Sequence, residues 1–374
     1  MEPASRKSTD WNSRSVQAGG ASNPKNPFMA PILKSIVLLA AVVAGHATQA
    51  GMGLAELSAD GISGPVTVFY PSQAAEGRVV RAGFPFDAAS EGPPSPGNHR
   101  LVVISHGSPS SPWVHVDLAR ALVAAGFTVA LPEHQGDNAR SHGESGPVSW
   151  KRRPLEVSAA IDRLAHEPRW SKALDFDAVG MFGMSAGGHT ALTLAGGRWS
   201  PSRLLAHCQQ HLESDFHTCA GPTFALDGGL LDGIKKTLAR MVLGTKLADT
   251  ASYGHVDPRI TAIVAGVPFA ADFDPESLRK PGAALAIVSA RADRWLVPRF
   301  HSDLVLAQCE RCVHLLDLPM GGHGALLSPL PPDLSGAVGS LVADPPEFRR
   351  EAEVARLNAA VTGFFQRLVR SSLE

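Results

Sequence analysis

Residues 179–192, VGMFGMSAGGHTAL, constrain this chain more than any other stretch. An apolar run of strand character enters the segment, Ser185 stands between glycines as G-x-S-x-G, and a small-residue helical pattern leaves it. A chain that turns this sharply from strand to helix is crowded on both sides of the turn, and glycine relieves the crowding. The spacing predicts a strand over 176–183, Ser185 at the apex and a helix beginning near Ala186. Such a turn lifts Oγ out of the sheet, and a helix N-terminus behind it favours developing negative charge. A glycine-rich turn with a capping serine has the same letters, so the rest of the chain has to discriminate.

Apolar runs at 66–70, 100–107, 127–134, 259–267, 283–290 and 312–319 read as further strands. Helical periods at 113–127, 153–167, 298–308 and 345–372 are interspersed with them, the alternation of an α/β fold with a mostly parallel sheet flanked by helices. The proline- and glycine-rich stretch 83–99 reads as a loop. Alternation lapses over 197–257, which is predicted to be an insertion forming a cap over a pocket. A formal net charge of −1, with no dense basic run, excludes a nucleic-acid partner.

The first 28 residues are polar and aperiodic, and read as a disordered extension or a mis-assigned start. Residues 29–50 read as a signal peptide, with Lys34 ahead of an apolar run from Ile36 to Gly45. That run is too short for a stable membrane span, which needs about 20 apolar residues. The expected product is a periplasmic or secreted domain over 60–374. In an oxidising compartment cysteines form disulfides, and proximity selects Cys208 with Cys219 and Cys309 with Cys312 from three possible pairings. The segment HCQQHLESDFHTC also offers His207, His211 and His217 beside Cys208 and Cys219, a spacing that suits zinc if the cysteines stay reduced. The disulfide reading is preferred, with no metal.

A serine hydroxyl needs a base, and the base needs an orienting group. His323, in PMGGHGALL, follows the last predicted strand, whereas His314 lies within that strand and His301 on a helix. Asp293, in SARADRWLVP, follows the strand at 283–290 and is preferred to Asp272 and Asp274, which follow the strand before it. The chain order is then serine, acid, histidine. ISHGSPSS places a histidine-glycine loop after an earlier strand, and the backbone N–H groups of Ser108 and Ala186 are assigned as oxyanion donors. Trp113 is a candidate for lining the substrate pocket.

At these residues the chain resembles the α/β-hydrolase superfamily, and within it the dienelactone-hydrolase-like and platelet-activating-factor-acetylhydrolase-like serine esterases. The resemblance runs from about Val66 to the C-terminus through VISHGSPSSPWVHVDLARALVAAGFTVALPEHQGDN, GMFGMSAGGHTAL, VDPRITAIVAG, SARADRWLVP and MGGHGALL. It implies an α/β-hydrolase fold, hydrolysis of carboxylic esters through an acyl-enzyme, no cofactor and a small-molecule or lipid-like ester substrate. Two departures limit it. Dienelactone hydrolases use a cysteine where this chain has Ser185, and the acetylhydrolases place their acid where this chain has Gly266 and Val267. The competing readings are an acetylhydrolase of phospholipid-like esters, and a zinc-binding or non-catalytic protein on the same fold.

Overall fold

Strand β5 (Arg100–Ser105) shows how the layers arise. Leu101 and Val103 enter one apolar core while Val102 and Ile104 enter another, because successive side chains of a strand point to opposite faces. Both faces are therefore covered, as parallel strands require. The computed structural model describes residues 50–61, 63–221 and 225–371; the signal-peptide reading at 29–50 lies, apart from Ala50, outside them.

The sheet also contains β1 (Gly51–Leu57), β2 (Val66–Ser72), β3 (Gly77–Arg81), β4 (Phe84–Ser90), β6 (Thr128–Pro132), β7 (Asp175–Met184), β8 (Ile260–Gly266), β9 (Ala284–Ala290) and β10 (Val313–Leu318). Their order is β10-β9-β8-β7-β5-β6-β2-β1-β4-β3. From β10 to β6 all neighbours are parallel, and the antiparallel pairs lie toward the other edge. This mostly parallel sheet flanked by helices is the α/β-hydrolase fold. Helices α1 (Val116–Ala124) and α9 (Arg350–Ser371) cover one face, with Leu122, Val361 and Phe365 in that core. Helices α2 (Pro147–His166) and α3 (Ala186–Leu194) cover the other, with Val157, Ile161 and Leu192.

Two sequence readings are corrected. The stretch 83–99 is not all loop: Phe84, Phe86 and Ala88 turn inward from β4 while Pro85 and Asp87 face out. Pairing of β3 and β4 overrides the local proline and glycine signal. Helix α2 begins at Pro147 rather than 153, which puts that proline in the first turn where no intrahelical N–H bond is lost. Pro154 then lies inside the helix.

The insertion folds as α4 (Pro201–His211), α5 (Phe216–Ala220) and α6 (Asp232–Lys246), and the Cys208–Cys219 disulfide ties α4 to α5. Helix α7 (Ser302–Gln308) precedes the Cys309–Cys312 disulfide, and α8 (Gly336–Val342) lies between β10 and α9.

Candidate active site

Ser185 sits between β7 and α3 with φ of 58° and ψ of −118°, a left-handed conformation that L-residues adopt only where the surroundings enforce it. The enforcement is visible. The Ser185 N–H donates to the Gly266 carbonyl at 3.0 Å, and its own carbonyl accepts from the N–H groups of His189 and Phe269. The flanking glycines are needed because backbone passes against them. A Cβ on Gly183 would collide with the Gly187 carbonyl, and one on Gly187 with that of Ser105.

Three loops at the C-terminal ends of parallel strands then meet. Asp293 follows β9, and its Oδ1 accepts from the backbone N–H groups of Trp295 at 2.8 Å and Leu296 at 2.9 Å. Its Oδ2 is left to accept from His323 Nδ1 at 2.8 Å. His323 follows β10 in a short 3-10 turn, and Arg350 holds that turn by donating to the Gly324 and Leu327 carbonyls. With Nδ1 donating to Asp293, Nε2 is free to accept from Ser185 Oγ at 3.0 Å. Asp293 and His323 are buried, and the Trp295 ring lies 4.9 Å from the imidazole. This is the hydroxyl, imidazole and carboxylate array that a serine hydrolase acting through an acyl-enzyme requires.

Ser185 and His323 open on a cavity of about 340 Å³. Its walls include Gly107, Ser108, Val114, Met184, Trp295 and Leu327, with Pro332, Leu334, Val338 and Val342 from the segment before α9. None of the described residues of 197–257 is among those that line it. Trp113 is also elsewhere: it is buried, stacks on Phe86 at 5.7 Å, and lines a neighbouring cavity of about 430 Å³.

The other sequence candidates have separate partners. Asp272 is buried against His189 at 3.1 Å, and Asp274 pairs with Arg203. His314 is exposed on β10. His301 is buried and accepts from the Ala270 N–H. Both predicted disulfides form, so Cys208 and Cys219 have no thiolate to offer zinc. His207 instead bonds Asp215 at 2.8 Å, and His301 lies 3.3 Å from the same carboxylate. Asp215 is held well below the usual carboxylate range because these imidazole contacts outweigh its burial.

Sequence reading missed a second array of similar composition. Ser105 Oγ lies 2.7 Å from His134 Nε2, and His134 Nδ1 lies 2.6 Å from Glu156 Oε2. All three residues are buried, and none lines the cavity at Ser185. Burial lowers the His134 pKa and raises that of Glu156. Beside it, Arg153 and Asp137 are wholly buried and ion-paired at 2.8 Å. The histidine and aspartate of PEHQGDN were the available signal, but Arg153 and Glu156 stand on the helical run after it, where nothing marks them as inward-facing.

No protein-family model matches the sequence, and no curated protein matches it either. Among solved structures, the chain is similar to a ferulic acid esterase from Streptomyces cinnamoneus, with a TM-score of 0.52 and 16% identity over 87% of this chain and 92% of that one. At that identity the likeness is one of fold.

Proposed function

We propose that the chain is a serine esterase in which Ser185, His323 and Asp293 form the catalytic triad. The carrying observation is that His323 lies 3.0 Å from Ser185 Oγ and 2.8 Å from Asp293 Oδ2 at the floor of an open, largely apolar cavity. Ser185 Oγ attacks the ester carbonyl as its proton passes to His323 Nε2. The carbonyl oxygen gains the negative charge and faces the N–H groups of Ser108 and Ala186. Collapse expels the alkoxide, which takes the proton from His323 and leaves the acyl group on Oγ. Water then repeats the sequence and releases the acid.

The cavity supports carboxylic esters whose acyl part is apolar, from acetyl up to an aromatic acid, since about 340 Å³ is at the small end of ligand sites. A phospholipid-like acetyl ester is the narrower reading that the sequence resemblance suggests. Two disulfides support residence in an oxidising compartment, periplasmic or secreted. The test is labelling of folded protein with a fluorophosphonate, with the adduct mapped by mass spectrometry. Turnover of p-nitrophenyl acetate through decanoate, methyl ferulate and an sn-2-acetyl phospholipid then assigns the substrate. An adduct at Ser185 that is lost in Ser185→Ala is the expected result; no adduct there overturns the mechanism.

A further inference from the structure

The loop after β5 reaches the cavity with one side and meets a buried guanidinium with the other. Arg153, on α2, is 0% exposed. Its Nη1 donates to the His106 carbonyl at 2.6 Å, and its Nη2 to the Gly107 carbonyl at 3.0 Å. The same guanidinium is fixed in turn by Asp137, whose Oδ2 accepts from Nε at 2.9 Å. Asp137 also accepts from the hydroxyls of Ser108, Ser145 and Ser149. Burial alone would raise the Asp137 pKa, but Arg153 and these hydroxyls outweigh it and keep the carboxyl ionised.

The Gly107–Ser108 peptide is not among the cis bonds, so its N–H points opposite to its C=O. With the Gly107 carbonyl drawn to Arg153, the Ser108 N–H is turned away from the guanidinium. Gly107 and Ser108 line the cavity with Ser185, and Arg153 does not. Among the described backbone bonds of turns and loops the Ser108 N–H is not a donor, and Ala186, as the first residue of α3, has no acceptor for its N–H within that helix. The Gly107 carbonyl has a second donor, His106 Nδ1 at 2.7 Å. Two donors on one carbonyl polarise the peptide and strengthen its N–H. His106 can hold that tautomer because its Nε2 accepts from the His134 N–H at 3.2 Å.

We propose that Arg153 is a positioning residue for ester hydrolysis: by clamping the carbonyls of His106 and Gly107 from behind, it aims the Ser108 N–H at the oxygen that gains charge in the transition state. This rests on the esterase reading above. Arg153→Lys keeps a cation beside Asp137 but cannot fork onto two carbonyls. Loss of a whole oxyanion donor costs about 10²- to 10³-fold in kcat, so misaiming one is worth roughly 10- to 100-fold.

The experiment measures kcat, KM and the inhibition constant of a trifluoromethyl ketone for wild type, Arg153→Lys and Asp137→Asn. The ketone is chosen because its hemiketal with Ser185 bears the oxyanion. In Arg153→Lys, kcat falls and ketone affinity falls by the same factor, with KM within about twofold of wild type. Asp137→Asn loosens the same guanidinium without emptying its site and gives the same pattern at about 3- to 10-fold. It decides alone if Arg153→Lys does not fold. Ketone affinity within twofold of wild type in the folded variants, or a rise in KM with kcat unchanged, overturns the proposal. Wild-type protein that neither turns over ester nor labels at Ser185 overturns the esterase reading and this one with it, which separates the two failures.

Discussion

Asp293→Asn gives the sharpest test of the proposed triad, because the backbone dictates how the new amide must lie. Oδ1 accepts two N–H bonds, at 2.8 and 2.9 Å, and rotating the amide would press its NH₂ against both donors. The amide oxygen therefore stays on Trp295 and Leu296, and the NH₂ faces His323 Nδ1 at about 2.8 Å. An NH₂ only donates, so Nδ1 must become the acceptor and the ring proton moves to Nε2. The imidazole then points a proton at Ser185 Oγ, where a base needs a lone pair.

Restoring the productive tautomer sets two donors against each other, a cost of about 1–3 kcal/mol. The imidazolium formed in the transition state also loses its charged acceptor, worth roughly 1.5–3 kcal/mol more. At 1.36 kcal/mol per decade, a combined cost of about 2.5–6 kcal/mol predicts a fall of roughly 10²- to 10⁴-fold in kcat. Both backbone bonds survive, so the melting temperature should move by no more than ~2 °C. The assay is steady-state hydrolysis of p-nitrophenyl acetate, with Ser185 counted by fluorophosphonate titration. A folded variant that retains more than a tenth of wild-type kcat refutes the reasoning, as does an equal or larger loss in Asp272→Asn.

Gly187→Ala should abolish labelling at Ser185 and lower thermal stability sharply, because the added methyl collides with the Ser105 carbonyl; near-wild-type labelling would show that the turn can relax. His115 is buried with neither ring nitrogen hydrogen-bonded, and burial lowers its pKa to about 4. A histidine lowered in the folded state stabilises above the unfolded value of 6.5, and that contribution is lost as pH falls from there toward 4. At pH 5 the loss is about 2 kcal/mol, so His115→Leu should flatten the acid limb of a urea-unfolding series between pH 7.5 and 5 by that amount. Parallel limbs for variant and wild type would contradict it.

Legibility from sequence divides by the range of the interaction that sets each feature. Ser185 was readable because strand, turn and helix are contiguous, and Asp293 and His323 because each follows a strand whose apolar run is unmistakable. Chain order linked them without knowledge of distance. Strand β4 was hidden because its pairing with β3 and β1 outweighs the turn residues around it. Part of the pocket wall was hidden for a related reason. Beside Gly107, Ser108, Val114, Met184, Trp295 and Leu327, the lining draws on 331–342, a proline-containing stretch with no periodic signal. Arg153 was invisible because an arginine on a helix ordinarily faces water, and only the fold turns this one inward.

Two arrays of hydroxyl, imidazole and carboxylate in one domain show that composition does not make a catalyst. Ser105 Oγ is nearer its imidazole than Ser185 Oγ is to His323, at 2.7 against 3.0 Å. Distance alone would choose the inner array. Catalysis requires in addition that the substrate reach the hydroxyl and that the imidazole become positive when it takes the proton. Ser105 is 0% exposed, and burial drives both His134 and Glu156 toward their uncharged forms. The inner array is therefore suited to filling a polar site behind the loop that follows β5, where His134 also donates its backbone N–H to His106. The outer array has the strained turn and the open cavity, with the first N–H of α3 beside it. It is this coincidence, more than any one distance, that supports the proposal of Ser185 as the nucleophile.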